Sequence, residues 1–391
     1  MPRTRLEPPA TSTESAQRGR DARSIAPRSS HGDWRANRDA VDPVALGVQA
    51  GSPFAFLCGA ASVMAADLAG TPTSGITVQL CGDAHLGNFG GFAAPGRRMV
   101  FDVRDFDETL PGPWEWDVKR LAASTEVAAR DRSFAAADRA DAVRGAVLGY
   151  AGAMRRLAGM RTMEVWYSRT EVDAGLREWV RGLRRVTERS DEACDDVTTA
   201  FVRDALRTYR TSLTADRRRL LGSYRVLDVA REVGGGAWIV RLLGRDGDDP
   251  LVLQLKEAGP SVLEAHLGRY VSDNGARRVV EGQRMMQSAT DVLLGWARTD
   301  GRDLYVRQLW DAKLSVPIEV LPPQELAVYA ATCGEALARA HARSGDRFAI
   351  AAYLGRGERF ADALVRFAGA YADQNEIDHA ALAAAVTDPE R

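Results

Sequence analysis

Lysine is nearly missing from this 391-residue chain: it occurs at Lys119, Lys256 and Lys313, and Arg supplies the other 49 of the 52 basic residues. Where Arg serves as the general surface cation, a retained Lys marks a position that wants a compact ammonium rather than a planar fork. Cysteine is scarce too. Cys58, Cys81, Cys194 and Cys333 lie far apart with no C-x-x-C pair, which excludes a disulfide framework and fits a reducing compartment. Long apolar runs are lacking as well; the most apolar segment, 54–68, contains Asp67 and is too short to cross a bilayer. A formal net charge of −1 leaves no global basic field for nucleic acid or an acidic membrane, so neither is expected as a partner. Residues 1–44 are rich in Arg, Ser, Pro and Asp without an apolar core, and are expected to be a disordered segment of a cytoplasmic protein.

What is present is a globular composition, 45% hydrophobic and 27% charged, long enough for two or three domains. Its most informative stretch runs Cys81-Gly82-Asp83-Ala84-His85-Leu86-Gly87-Asn88, followed by Val100-Phe101-Asp102-Val103-Arg104-Asp105-Phe106-Asp107-Glu108. An Asp, an Asn five residues on, then an apolar strand ending in another Asp is how kinase-type phosphotransferases set a base and two metal ligands around ATP. Asp83 would orient and deprotonate an acceptor hydroxyl. Asn88 and Asp105, with Asp107 as a further candidate, would ligate Mg²⁺, which prefers oxygen. His85 has no zinc-spaced partner and is read as a loop-stabilising hydrogen bonder.

The pattern along the chain supplies the rest. Residues 53–68 read as a buried helix, 76–80 and 98–101 as strands, and 117–221 as a mostly helical scaffold. From 226 the character changes to a glycine-rich hairpin, with Gly234, Gly235 and Gly236 at its tip, and a third strand carrying Lys256. A helix at 276–287 bearing Glu281 and a strand at 304–309 follow; 324–343 and 359–372 are amphipathic helices. Strand, glycine turn, strand, strand-Lys, helix-Glu, strand is the order of a kinase small lobe. There Gly234, Gly235, Gly236 and Lys256 would meet the phosphates of ATP, and Glu281 would hold Lys256. Lys119, Arg307, Asp311 and Lys313 are further candidates for the same cleft, with structural ion pairing the competing role. Trp114 and Trp116 read as packing residues.

Gly82-Asp83-Ala84-His85-Leu86-Gly87-Asn88 resembles the G-D-x-H-x-x-N catalytic loop of aminoglycoside and choline phosphotransferases, and Asp105-Phe106-Asp107-Glu108 through Gly112 to Asp117 resembles their following acidic segment. The resemblance implies that Asp117 braces the loop. Across residues 50–380 the chain resembles the bacterial family termed domain of unknown function 2252, through Ser52-Pro53-Phe54-Ala55-Phe56, the 107–117 segment, Leu253-Gln254-Leu255-Lys256-Glu257-Ala258 and Val280-Glu281-Gly282-Gln283-Arg284. It departs from that family in Cys58, where an Arg is usual, and in a shorter glycine loop, and from the phosphotransferase loop in Cys81, where a His is usual.

In ordinary kinases the small lobe precedes the catalytic loop; here it follows. The expectation is therefore an α+β, two-lobed, protein-kinase-like fold, circularly permuted, with a helix-rich large lobe and a small antiparallel-sheet lobe. Its expected parts are residues 1–44, a catalytic-loop and helical large lobe at 45–222, a nucleotide-binding lobe at 223–312, and closing helices at 313–391. Either 53–68 or 324–343 could be the helix that leads into the catalytic loop. The function expected is ATP- and Mg²⁺-dependent phosphoryl transfer to a small hydroxylated molecule. AMP transfer to a protein, a nucleotide-binding module without turnover and, more remotely, a metal phosphohydrolase remain the alternatives.

Overall fold

A computed structural model describes residues 10–36, 51–96, 98–172, 191–232, 236–309 and 313–387. It is a mixed α+β structure in which every paired strand runs antiparallel to its neighbour. Within the span expected to be disordered, residues 12–25 instead form a helix, α1 (Ser12–Ile25), capped by Thr11 with Glu14 in a reciprocal box and docked by Arg23 Nε donating to the Tyr353 carbonyl at 3.0 Å. The apolar stretch expected as one helix forms two, α2 (Pro53–Gly59) and α3 (Ala61–Ala69), divided where Ala60 leaves helical backbone angles. The break leaves the Leu57 carbonyl available to a buried guanidinium, Arg120 Nη2 at 2.6 Å.

Next come β1 (Thr77–Leu80), β2 (Phe89–Ala93), β3 (Met99–Val103) and β4 (Leu110–Pro113). β1 pairs β4, and β2 and β3 form a hairpin joined at its edges by β5 (Thr170–Glu171) and β12 (Lys313–Leu314). α4 (Trp114–Asp131) is buried from Trp114 through Ala129 although it carries Glu115, Asp117, Lys119, Arg120 and Glu126 in that span, so its charged groups need partners inside the core. Trp114 stacks on Tyr150 of α5 (Ala136–Ala158), ring centroids 5.6 Å apart, so the packing role read from sequence holds. Around α4 lie α5, α11 (Pro323–Ser344), α12 (Arg347–Leu354) and α13 (Glu358–Thr387). α5 and α11 come close because Gly149 and Gly334 carry no Cβ; one at either place would strike the facing helix backbone. The far end of α11 abuts β1, where Gln79 N donates to Ser344 Oγ at 3.1 Å.

The remaining elements build a six-stranded sheet in the order β10-β11-β9-β8-β7-β6. These are β6 (Asp191–Ala193), β7 (Arg225–Glu232), β8 (Ala237–Leu243), β9 (Pro250–Glu257), β10 (Gly295–Thr299) and β11 (Arg302–Gln308). Period-2 alternation sorts their side chains. Trp238, Val240, Leu253, Leu255, Leu304 and Val306 form a core with Val202, Ala205 and Tyr209 of α7 (Asp196–Ser212). Lys256 stands opposite Tyr305, and Gln254 opposite Arg307, on the other face. α7 lies inside the span expected as helical scaffold, yet it covers this sheet: its apolar stripe finds a matching face there. The short helix α6 (Thr162–Tyr167) precedes it, α8 (Ala215–Leu221) follows it, and α9 (Glu264–Leu267) and α10 (Gly275–Met286) join β9 to β10. Among the described residues no helix is long and apolar enough to cross a membrane.

Lys119 does not line a cleft. It is fully buried in the helical core, its Nζ 5.5 Å from the centre of the Phe367 ring and without a hydrogen-bond partner. Burial pushes its ammonium down to about 7, against the opposing pull of Glu115. Between about pH 7 and 10 the unfolded chain therefore binds more protons at this position, so the cost of burying Lys119 shrinks as pH rises. Lys119→Met should stabilise the fold by on the order of 2 kcal/mol in urea melts at pH 6, with the gain fading towards pH 10. A destabilised variant at pH 6 would show that the amine is held by an attraction rather than tolerated.

Candidate functional site

The loop after β1 is fixed from beneath. Asp117, in the first turn of α4, accepts the N–H of Cys81 at 2.8 Å and of Gly82 at 3.1 Å. Gly82 has φ +87°, and a Cβ there would strike the Glu108 carbonyl, so the turn admits only glycine. His341 of α11 bridges the Asp117 carboxylate, 3.1 Å from Nε2, and the Tyr150 hydroxyl, 2.9 Å from Nδ1. All three side chains are buried. Asp117 thus holds the Cys81-Gly82 turn through two backbone N–H groups.

Asp83 emerges from this turn. Its carboxylate accepts from Arg120 Nε at 2.8 Å, while Asn88 Nδ2 donates to the Asp83 carbonyl at 2.9 Å. Arg120 is itself buried, and burial works against its charge, yet Asp83 beside it raises the guanidinium above its ordinary value. Sequence reasoning missed Arg120. The only signal was its place three residues beyond Asp117, on the same side of the helix. His85 Nδ1 accepts from Gly87 N at 3.1 Å and lies 3.4 Å from Cys58 Sγ. Burial pushes His85 below its ordinary value despite Asp83, so the ring serves the loop as a neutral hydrogen bonder.

The second acidic segment meets the six-stranded sheet. Lys256 of β9 donates to Asp107 Oδ2, joining residues 149 apart in sequence. Burial alone would lower Lys256, but Asp107 and Asp105 outweigh it and hold the ammonium above its usual range. Asp105 Oδ1 accepts from Asp107 N at 3.1 Å. Its burial would raise it; the Lys256 and Arg307 charges hold it below the ordinary carboxylate value. Arg104 completes the cluster, donating to the Gly87 carbonyl and to Ser315 Oγ, each at 3.1 Å.

Glu281 does not perform the role expected of it. Its carboxylate accepts from Tyr270 Oη at 2.6 Å and Arg277 Nε at 2.8 Å, on the flank of α10, and Lys256 pairs with Asp107 instead. The residue of α10 that reaches the acidic segment is Arg278, buried, which donates to the carbonyls of Thr109 at 2.8 Å, Asp107 at 2.7 Å and Gly259 at 3.0 Å. Gly282, one turn on, lets Thr109 press against the helix. Of the glycine tip, Gly236 is exposed, with open space around its Cα; Gly234 and Gly235 lie outside the described residues, as does Asp311. The strand β12 takes Lys313 to the edge beside Phe92.

The side chains that could hold an Mg²⁺ ion are those expected from the sequence, Asp105, Asp107 and Asn88. Asp107 Oδ1 is buried with no hydrogen-bond partner, and Asn88 has committed its side-chain nitrogen to the Asp83 carbonyl. Mg²⁺ usually takes one or two carboxylates and fills its octahedron with water and substrate phosphates. Among the described residues no group of three or more His, Cys, Asp or Glu is arranged to hold a metal by itself.

Asp117→Ala should cost about 3 kcal/mol in urea denaturation, because two buried N–H groups and His341 lose their acceptor together. Asp117→Asn, which keeps one acceptor oxygen, should cost less. A loss below about 1 kcal/mol for the alanine variant would mean that the loop stands without this brace.

No curated protein and no solved structure matches the chain. The model of the family described as "Uncharacterized protein conserved in bacteria (DUF2252)" matches residues 43–193 and 180–385, and the chain belongs to that family.

Proposed function

We propose that this protein is an ATP- and Mg²⁺-dependent phosphotransferase acting on a small hydroxylated acceptor, built as a permuted kinase-like fold. The observation that carries this reading is the convergence of Lys256 from the six-stranded sheet with Asp105 and Asp107, behind a loop that presents Asp83 and Asn88. Phosphoryl transfer needs positioned cations for the phosphates, oxygen ligands for a metal and one carboxylate for the acceptor hydroxyl, with little other covalent work for the protein. That division of labour matches the side chains gathered here. The permuted chain order is favoured by α11: its last turn meets β1 through Ser344 and Gln79. A join at that point would make α11, rather than α2 and α3, the helix leading into the loop.

In this reading Lys256 exchanges its contact with Asp107 for phosphate oxygens when nucleotide enters. Mg²⁺, held by Asp105, Asp107 and Asn88, would neutralise charge on the transferred group. Asp83 accepts the acceptor's hydroxyl proton on the oxygen not taken by Arg120. Arg120 keeps the carboxylate aimed, and Asp117 with His341 keeps the loop from shifting as charge moves.

Mg-ATP should raise the melting temperature of the protein, and acceptor screens should release ADP. Asp83→Asn should lower turnover about 10³-fold with nucleotide binding nearly intact, whereas Lys256→Met should weaken binding itself. Pyrophosphate in place of ADP would move the assignment to AMP transfer. Binding that survives both substitutions, with no product from the wild type, would make the protein a nucleotide-binding module without turnover.

A further inference from the structure

Arg307 sits on β11, diagonal to Lys256 on the neighbouring strand: Tyr305 is the direct partner of Lys256, and Gln254 that of Arg307. Such diagonal neighbours stand about 7–8 Å apart on one face of a sheet. Three of the buried arginines are consumed by structure, and a fourth, Arg339 of α11, reaches only the Phe101 carbonyl among the described residues, at 3.5 Å. Arg120 serves Asp83, the Leu57 carbonyl and Met64 Sδ; Arg278 serves backbone carbonyls; Arg347 holds the carbonyls of Leu157 and Met160. Arg307 is different. Its Nε donates to Gln254 Oε1 at 3.0 Å, and Gln254 Nε2 in turn donates to Glu232 Oε2 at 2.9 Å. This relay across β11, β9 and β7 fixes the guanidinium plane. Its two terminal nitrogens have no ion-pair or hydrogen-bond partner among the described residues, and the side chain keeps some exposure. Burial works against its charge, yet Asp105, Asp107 and Asp291 raise the guanidinium above its ordinary value, but none of them forms an ion pair with it within 4 Å; Asp291 accepts from the backbone N–H of Leu293 and Gln308, and the guanidinium lies 5.7 Å from the centre of the Tyr305 ring.

We propose that Arg307, oriented by Gln254 and Glu232, is a second anion subsite beside Lys256, and that the ligand of this site is a chain of condensed phosphates gripped at two separate phosphoryl groups. This rests on the phosphotransferase reading and adds to it. An ammonium and an oriented guanidinium on one sheet face give a chain of phosphates two anchors, while a monophosphate engages one. Arg adds planar, bidentate recognition of phosphate oxygens that the point charge of Lys does not provide. The chemistry is shared by nucleoside triphosphates and inorganic tripolyphosphate.

The experiment compares the full-length wild type, Arg307→Met, Arg307→Lys and Gln254→Leu by calorimetric titration with Mg-ATP, Mg-tripolyphosphate and AMP. Unfolding curves of each variant, run without ligand, establish that it is folded. Arg307→Met should weaken ATP and tripolyphosphate alike by about 10- to 100-fold and AMP by less than about twofold. Arg307→Lys should recover part of the loss, and Gln254→Leu should weaken the triphosphates less than Arg307→Met does. Tripolyphosphate binding as well as ATP would make the phosphate chain itself the recognised group, and ATP binding far more tightly would add the nucleoside as a third point of contact; in both cases the loss on Arg307→Met supports the subsite. Triphosphate affinities unchanged by Arg307→Met, or AMP weakened as much as ATP, would overturn it while leaving the phosphotransferase reading in place. Wild-type protein that binds neither triphosphate would overturn both.

Discussion

The ion pair between Lys256 and Asp107 is the contact on which the site depends. Among the described residues it is the one ion pair within 4 Å that ties the six-stranded sheet to the acidic segment after β3, and Lys256 and Arg307 of the same sheet also act on Asp105. Each partner is only partly exposed, so the pair is screened less than a surface bridge and has lost part of its hydration. A partly desolvated pair of this kind adds little net stability, but it is costly to break on one side only. It therefore acts as a register mark: it fixes where β9 lies relative to the loop carrying Asp105, and with that the distance between cations and carboxylates. Arg278 does the complementary work from α10, using backbone carbonyls of Asp107, Thr109 and Gly259 rather than charge.

The helical body is organised to deliver rigidity to one short loop. α4 is buried on every side, and from its first two turns it sends Asp117 to the backbone of Cys81 and Gly82 and Arg120 to the side chain of Asp83. The close approach of α5 and α11, permitted by Gly149 and Gly334, puts Tyr150 and His341 behind Asp117. A buried carboxylate with three donors is stable only when all are in place. The same helix carries a buried amine, Lys119, that has no such partners. Burial is thus shared by both groups, and hydrogen bonding is what separates a brace from a liability.

Much of this was legible in the residue order. The Asp83-to-Asn88 spacing, the strand ending before Asp105 and the run leading to Lys256 each announce themselves through local pattern, and all of them stand in the predicted loops or strands. Glu281 was misread because a strand-Lys followed by a helix-Glu suggests an ion pair, while the sequence does not show that Arg277 and Tyr270 lie closer to that carboxylate. Arg120, Arg278 and His341 were missed for a related reason. Each looks like one more member of an Arg-rich or amphipathic helix, and its role arises from a carbonyl or carboxylate far away in the chain. α7 was assigned to the scaffold because a helix's apolar stripe does not say which surface it will cover.

Sequence by itself determined the chemistry available: acids and an amide at loop spacing, a Lys kept where Arg was the rule, and alternating strands able to form an antiparallel sheet. Those are properties of short segments, where backbone geometry follows residue type within a few positions. Tertiary structure alone decided the partners, namely Asp107 rather than Glu281 for Lys256, Arg120 for Asp83, His341 for Asp117, and Gln254 for the Nε of Arg307, whose terminal nitrogens form no ion pair among the described residues. Pairing depends on which elements pack together, and that follows from burying apolar faces across the whole chain rather than from any one motif.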